Sequence, residues 1–263
     1  MPISCPISFD RLSTDQFRAF DYTVMGQMFA SQNEIGRLAD ESVYRSDVAR
    51  RLGSAGMRSD EEISIEVSYM TFTKTLFLDL VVSKKAIYEL KAVSALNSSH
   101  ISQLMTYLYL LDQPRGKLVN FRPTTVESKF VNAPIPREER CGFSVSENDF
   151  RGDRSLLTLA VGLVRDWGTS LSVSLYLQAI VHLLGGKDSV EFMLPLTLAG
   201  QHLANQRFHL LDELTAFELT AFSKPDNKYI EQLQRLLKLS PLQRIHWINV
   251  GTHCMTFHTV DKT

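Results

Sequence analysis

The chain has 263 residues, enough for one large domain or two of ordinary size. Its 44% hydrophobic and 22% charged residues are typical of a folded soluble protein, and a formal net charge of −1 excludes a global basic field for nucleic acid. Three scattered cysteines, no visible signal peptide and no apolar stretch of bilayer length predict a cytoplasmic protein without a disulfide framework or a membrane span.

Two helices open the predicted order of elements. Ser13 with Gln16 resembles a capping box, and apolar residues follow at helical spacing until about Gly36. A second helix is predicted from about Asp40 to Leu52, with Gly53 as its stop.

Strands and a third helix follow. Alternating apolar residues over 63–69 predict a half-buried strand, and two β-prone runs, 77–82 and 86–93, predict a hairpin. A helix capped by Ser98 or Ser99 and two strands, 117–121 and 126–131, complete the series. The order predicts an α/β layer with a mixed sheet, in which a later strand arrives through a helical crossover.

The hairpin carries the residues that most directly suggest a chemistry. If its connector has three residues, Val82 pairs with Ala86 and Asp79 lies opposite Glu89. Because side chains alternate along a strand, Glu89 and Lys91 then share the face of Asp79. Isolated charges on an apolar sheet are costly, whereas a divalent metal ion between the carboxylates stabilises them.

Two alternatives remain open at this point. The same residues also suit an ordinary cross-strand ion pair on a solvated face, and short patterns of this kind recur by chance.

Any phosphate contact must come from a local basic patch, although scattered Lys and Arg are most often solvated surface. Lys84 and Lys85 in the hairpin connector are predicted substrate-binding residues, and the other candidates are Arg45, Arg50, Arg51 and Lys74.

The proline- and charge-rich segment 133–148 is predicted to be a linker between domains at 1–132 and 149–263. The two domains share residues in matching order. A shift of 132 positions aligns identical residues at Asp21, Gly36, Ser42 and Tyr44, and a shift of 129 does so at Glu89, Leu90, Gln103, Leu104 and Asn120. An internal duplication is predicted, with the two halves packed as an intramolecular pseudo-dimer.

The predicted second copy lacks most of the polar cluster. Thr220 stands in the place of Lys91, Val173 in the place of Glu41, and Asp79 falls near Leu210. Only the glutamate, Glu218, and the glutamine, Gln232, persist. One carboxylate without a lysine is a poor metal site, so the second half is predicted to be a structural partner, a pseudoenzyme domain.

Asp79 with Glu89-x-Lys91 resembles the PD-(D/E)XK nuclease superfamily, and residues 14–132 more specifically resemble the bacterial GxxExxY family. Leu38 replaces the first glycine of that family's name, and Leu78 replaces the proline before the aspartate. The resemblance implies a restriction-endonuclease-like αβββαβ core. The matching segments are Glu34–Gly36, Glu41–Tyr44, Leu78–Val82, Ile87–Val93, Gln103 and Leu104 with Tyr107, and Leu118–Phe121.

The resemblance also implies a role for each site residue. Asp79 and Glu89 would hold Mg²⁺ or Mn²⁺ together with the Leu90 carbonyl, and Glu41 would complete the acidic cluster. Lys91 would orient the attacking water and stabilise charge on the phosphate. The remaining implied residues are Gln103, which would position the lysine or a phosphate oxygen, and Tyr107, which would line the groove.

Three hypotheses follow from the sequence. The first is a metal-dependent nuclease that acts through the N-terminal half, with DNA favoured over RNA as the substrate. The second is a non-catalytic module that binds nucleic acid or a protein partner on the same fold. In the third, the duplication serves stability alone.

Overall fold

The computed structural model of the chain describes residues 2–223 and 227–263. They divide into two compact units. Unit 1 comprises Met1–Ser68 and Thr73–Pro136, and unit 2 comprises Tyr69–Phe72 and Arg137–Thr263. Among the described residues, no helix combines the length and the apolar character needed to cross a bilayer.

The first sheet has six strands in the order β1-β2-β3-β4-β5-β6. Strands β4 and β5 run parallel, whereas the pairs β1–β2, β3–β4 and β5–β6 are antiparallel, so the sheet is mixed as predicted. The helices are α1 (Thr14–Ile35), α2 (Glu41–Ser54) and α3 (Ser98–Leu110); the strands are β1 (Ile3–Ser4), β2 (Ser59–Tyr69), β3 (Phe72–Val82), β4 (Ala86–Lys91), β5 (Arg115–Asn120) and β6 (Glu127–Asn132).

Local signals set the helix ends. The predicted capping box of Ser13 and Gln16 begins α1, and Asn97 accepts backbone N–H groups at the start of α3. The predicted stop of the second helix is wrong, because Gly53 lies inside α2. The residue that takes the left-handed conformation after this helix is Gly56, with φ of +75°.

The hairpin of β3 and β4 has the register that the sequence predicts. Val82 pairs with Ala86, and the ladder continues through Val81 and Ile87 to Leu80 and Tyr88. The alternate side chains Leu80, Val82, Tyr88 and Leu90 join the apolar core formed with α1 and α2. The side chains between them are therefore left for the opposite face.

Unit 2 contains a second six-stranded sheet in the order β7-β12-β11-β10-β9-β8. Strand β10 runs parallel to β11 and β7 parallel to β12, and the other pairs are antiparallel. The helices are α4 (Arg137–Cys141), α5 (Arg154–Trp167), α6 (Val173–Leu183), α7 (Lys187–Val190) and α8 (Asn227–Leu239); the strands are β7 (Ser144–Asp149), β8 (Glu191–Leu198), β9 (Gln201–Leu210), β10 (Thr215–Thr220), β11 (Arg244–Val250) and β12 (Cys254–Asp261).

The segment predicted as a linker, 133–148, differs from that expectation. Most of this segment belongs to unit 2, because it contains helix α4 and most of strand β7. Strand β7 pairs with β12 at the edge of the sheet of unit 2. Arg140 is fully buried and donates hydrogen bonds to the carbonyls of Trp167 and Thr169. The division between the units follows Pro136.

Each unit contains similar hydrogen bonds, buried or partly buried, at positions that the sequence shifts align. The Tyr44 hydroxyl donates to the carbonyl of Gly36, and the Tyr176 hydroxyl to that of Gly168. The Asn120 side chain accepts from the Val93 N–H at 3.0 Å and donates to the Val93 carbonyl at 2.8 Å. The Asn249 side chain forms the same pair of bonds with Phe222, at 2.7 and 3.1 Å.

A buried ion pair lies within the core of unit 1. Lys117 Nζ donates to Asp21 Oδ2 at 2.5 Å, and the Tyr88 hydroxyl donates to Asp21 Oδ1 at 3.2 Å. Lys117 is 6% and Asp21 5% exposed. Removing one member of such a pair leaves the other charge buried and uncompensated.

Replacing Lys117 with methionine should therefore lower the free energy of unfolding by about 3 kcal/mol, as measured by urea denaturation. Lys129→Met is the matched control, because this half-exposed lysine forms a longer ion pair, 3.7 Å, with the partly exposed Glu127. The control should change the free energy by less than about 0.5 kcal/mol. Equal effects of the two substitutions would contradict the structural role of the buried pair.

Candidate active site

Three elements bring four charged side chains together in unit 1. Glu41 comes from the first turn of α2, Asp79 from β3, and Glu89 and Lys91 from β4. The Lys91 Nζ lies 2.7 Å from Glu89 Oε1, 3.6 Å from Asp79 Oδ2 and 3.7 Å from Glu41 Oε2. These predicted site residues therefore form one cluster around a single ammonium group.

The position of Asp79 follows from where the β3–β4 ladder ends. The last pair is Leu80 with Tyr88, one residue before Asp79 would pair with Glu89. The Leu90 N–H is instead accepted by Asp79 Oδ2 at 2.8 Å. The aspartate therefore fixes the two strands together beyond the regular ladder, and its carboxylate faces Lys91.

Glu89 is the most deeply buried member of the cluster. Its side chain is 0% exposed, and Oε2 has no hydrogen-bond partner among the described residues. Burial and the nearby Asp79 carboxylate raise the pKa of Glu89 from 4.5 to about 8, against the opposing effect of Lys91. Near neutral pH this carboxyl is largely protonated.

The other charges respond to the same surroundings. Burial, followed by the Asp79 carboxylate, raises the pKa of Glu41, while Lys91 and Arg45 oppose the shift. Burial acts to lower the pKa of Lys91, but the three carboxylates together raise it above its usual value. Lys91 therefore remains a cation within the cluster.

Helix α3 supplies the two remaining predicted residues. Gln103 Nε2 donates to the Tyr107 hydroxyl at 2.9 Å. Burial and the charge of Glu89 raise the pKa of Tyr107 to about 12, so the ring lies beside the cluster as a neutral phenol. The described bond of the glutamine runs to Tyr107, whereas its predicted partners are Lys91 or a phosphate oxygen.

The structure does not bring Lys84 and Lys85 into the cluster. Both are exposed in the turn between β3 and β4, and three ladder pairs separate that turn from Asp79. Among the other basic candidates, Arg50 and Arg51 form ion pairs with Asp47. The charges of these two arginines are therefore already paired with a carboxylate of the same helix.

Arg45 joins the site in a role that the sequence analysis missed. Its Nη1 lies 3.8 Å from Asp79 Oδ1, and the same guanidinium contacts Glu61 and Glu62. The available signal was its spacing from Glu41, because residues four apart share one face of a helix.

The donor set suits a hard divalent cation. Asp79, Glu89 and Glu41 offer only carboxylate oxygens, which Mg²⁺ and Mn²⁺ prefer, and the partnerless Glu89 Oε2 is a buried acceptor for a cation. Within residues 2–223 and 227–263, no group of three or more His, Cys, Asp or Glu has the geometry of a complete metal site. The residues therefore fit the metal chemically, while the Lys91 ammonium holds the carboxylates in the arrangement seen.

The positions of unit 2 that the sequence shifts align with the cluster are apolar or already paired. Leu80 pairs with Tyr88 in unit 1 and His209 with Phe217 in unit 2. If Tyr88 is aligned with Phe217 by the shift of 129 positions, Asp79 aligns with Phe208, two residues before the predicted neighbourhood of Leu210.

Two polar side chains remain at the equivalent of the hairpin face in unit 2. Thr220, at the position of Lys91, accepts from Trp247 Nε1 at 2.8 Å and donates to Asn249 Oδ1 at 2.9 Å. Glu218 accepts from the Tyr229 hydroxyl at 3.4 Å, and burial raises its pKa. The Thr220 hydroxyl is thus hydrogen-bonded within the core. Among the residues that the structure describes, Glu218 has no ion pair with a lysine or arginine.

Known proteins were compared with the chain by sequence and by structure. Residues 18–132 match the PD-(D/E)XK nuclease superfamily. This segment contains every residue of the cluster, and its α/β fold with a mixed sheet is consistent with a nuclease of that superfamily. The match supports hydrolase activity for unit 1.

The other comparisons add little. No curated protein matches the chain significantly. Among solved structures, the crystal structure of SSO0001 is 16% identical over 43% of this chain and 67% of its own, with a TM-score of 0.28. A likeness of that size does not establish a shared fold.

The raised pKa of Glu89 makes stability depend on pH. Between about pH 4.5 and 8 the folded protein retains a proton that the unfolded chain releases, so raising the pH removes stability. In EDTA, the free energy of unfolding should fall by roughly 2 kcal/mol between pH 6 and 8 relative to Glu89→Gln. Parallel pH profiles for the two proteins, measured by urea denaturation, would show that Glu89 is not protonated in the fold.

Proposed function

We propose that unit 1 is a metal-dependent nuclease of the GxxExxY type, which hydrolyses phosphodiester bonds of DNA in preference to RNA. The observation that carries the proposal is the buried Glu89 carboxyl, with one partnerless oxygen, held against Asp79 and Lys91. Burying such a group costs free energy, and binding of a cation would offset that cost. The segment that carries it matches the nuclease superfamily.

Each residue has a defined part in this proposal. Asp79, Glu89, the Leu90 carbonyl and Glu41 would hold Mg²⁺ or Mn²⁺, which when bound polarises the phosphodiester and lowers the pKa of water. Lys91 then places its ammonium beside the attacking water and the phosphate oxygens, where negative charge increases in the transition state. Gln103 would position the lysine or a phosphate oxygen, and Tyr107, to which Gln103 donates a hydrogen bond, would line the substrate groove.

Glu89 must lose its proton before it ligates a cation. Its pKa of about 8 means that this proton leaves when the cation arrives, since a ligand carboxyl has to be ionised. Lys91 would also exchange its short contact with Glu89 for contacts with substrate.

We also propose that residues 149–263 form a degenerate copy of the first half. The identical side chains Tyr44 and Tyr176, and Asn120 and Asn249, make the same backbone hydrogen bonds in the two units. The parallel pairing of β4 with β5 and of β10 with β11 also has the same register. Loss of Asp79 and Lys91 equivalents makes this copy a non-catalytic domain.

The direct test is cleavage of linear, circular and single-stranded DNA by the purified chain with Mg²⁺ or Mn²⁺. Lys91→Ala and Glu89→Gln should each reduce the cleavage rate by at least about 100-fold, because they remove the ammonium and a metal ligand. Glu218→Gln makes the same chemical change at the equivalent position of unit 2 and should leave cleavage unchanged.

Three results would contradict the nuclease proposal. The first is the absence of cleavage of all these substrates, and of RNA, by the unmodified chain. The second is a Lys91→Ala protein that cuts at the original rate. The third is cleavage that continues at an unchanged rate in EDTA.

A non-catalytic binding module is the second candidate function. Lys91 contacts the three carboxylates of the cluster, and Arg45 lies 3.8 Å from Asp79, so cations of the chain itself balance part of the acidic charge. This candidate predicts binding of nucleic acid or a protein without cleavage and without Mn²⁺ uptake. Calorimetric titration with Mn²⁺ separates the candidates, since only the nuclease should lose an ion-binding event in Asp79→Asn.

A further inference from the structure

Arg45 lies between the candidate metal ligands and a second pair of carboxylates. Its Nη2 is 2.7 Å from Glu62 Oε1, its Nε is 3.7 Å from Glu61 Oε2, and its Nη1 is 3.8 Å from Asp79 Oδ1. Only 14% of the arginine side chain is exposed. The shortest contact draws the guanidinium towards Glu62 and leaves Asp79 at the edge of its reach.

The backbone of β2 is distorted where it meets this arginine. Consecutive side chains of a regular strand point to opposite faces, yet Glu61 and Glu62 both contact Arg45. Glu62 has φ of +49°, a left-handed conformation that costs a non-glycine residue about 1 kcal/mol. The strained residue thus coincides with the placement of two carboxylates on one cation.

The two oxygens of Asp79 have different neighbours. Oδ2 accepts the Leu90 N–H and faces Lys91, whereas Oδ1 faces Arg45. A divalent cation at Asp79 would therefore meet the guanidinium at short range. Like charges at this distance repel strongly in a partly buried site.

We propose that Arg45 competes with the metal for Asp79, and that Glu61 and Glu62 restrain the arginine. With the restraint in place, the guanidinium stays beside Glu62 and the Asp79 carboxylate remains accessible to a cation. Without it, Arg45 pairs closely with Asp79 and displaces the cation. This inference rests on the proposed metal-dependent function and adds to it an electrostatic control of metal loading.

The test is calorimetric titration of the full chain with Mn²⁺ in the absence of nucleic acid. Arg45→Gln removes the competing charge and should tighten Mn²⁺ binding about tenfold. Glu62→Gln frees the arginine and should weaken binding about threefold. Glu62→Gln should have no further effect in the Arg45→Gln background, because the glutamate acts through the arginine.

Two controls separate this role from a structural one. Arg50→Gln makes the same charge change on the exposed side of the same helix and should not alter Mn²⁺ affinity. Arg45→Lys retains the charge and should return the affinity towards that of the unmodified chain. Thermal unfolding of each variant verifies that it folds, and Glu62→Gln changes a side chain that is 62% exposed.

The outcomes test the role of Arg45 separately from the proposed metal-dependent function. If the unmodified chain binds no Mn²⁺, the metal site and this control both fail. If it binds Mn²⁺ at a site abolished by Asp79→Asn, but Arg45→Gln binds no more tightly and Glu62→Gln no more weakly, only the role of Arg45 is overturned. Opposite shifts in the two variants support it, since a purely structural salt bridge predicts weaker binding in both.

Discussion

The enclosure of the Glu89 carboxyl beside the Lys91 ammonium is the interaction on which the site depends. Strand β4 lies between β3 and β5 in its sheet, and the Glu89 side chain on it is fully buried. Removing a charged group from water in this way is costly. Lys91 donates to one oxygen of the carboxyl, and the other oxygen has no hydrogen-bond partner within the described part of the chain. Burial, followed by the Asp79 carboxylate, raises the pKa of Glu89, while Lys91 opposes the shift.

The rest of the cluster is arranged around this buried pair. Asp79 is positioned because the ladder between β3 and β4 ends one residue earlier and its carboxylate accepts the Leu90 N–H. The first turn of α2 adds Glu41 and, one turn later, Arg45. Under the proposed duplication, Phe208, Val173 and Leu177 of unit 2 align with Asp79, Glu41 and Arg45, and the second sheet forms without such a cluster.

Sequence reasoning could predict the hairpin and its cluster, because alternation and a three-residue connector fix which side chains share a face. The position of Glu41 needed the family resemblance, since no local pattern reports which strand a helix terminus meets. The proline- and charge-rich composition of 133–148 suggested a linker. The segment instead contains a helix and most of a strand, and Arg140 within it is buried. The distortion at Glu62 was invisible, because nothing in two successive glutamates signals a left-handed backbone.

Proton release on Mn²⁺ binding tests the central claim most directly. Calorimetry at pH 7 in two buffers of different ionisation enthalpy counts the protons that leave with each bound ion. A Glu89 carboxyl with a pKa of about 8 that becomes a ligand should release close to one proton per ion, and Glu89→Gln should release none. Mn²⁺ binding without proton release, or equal release from the Glu89→Gln protein, would contradict the account.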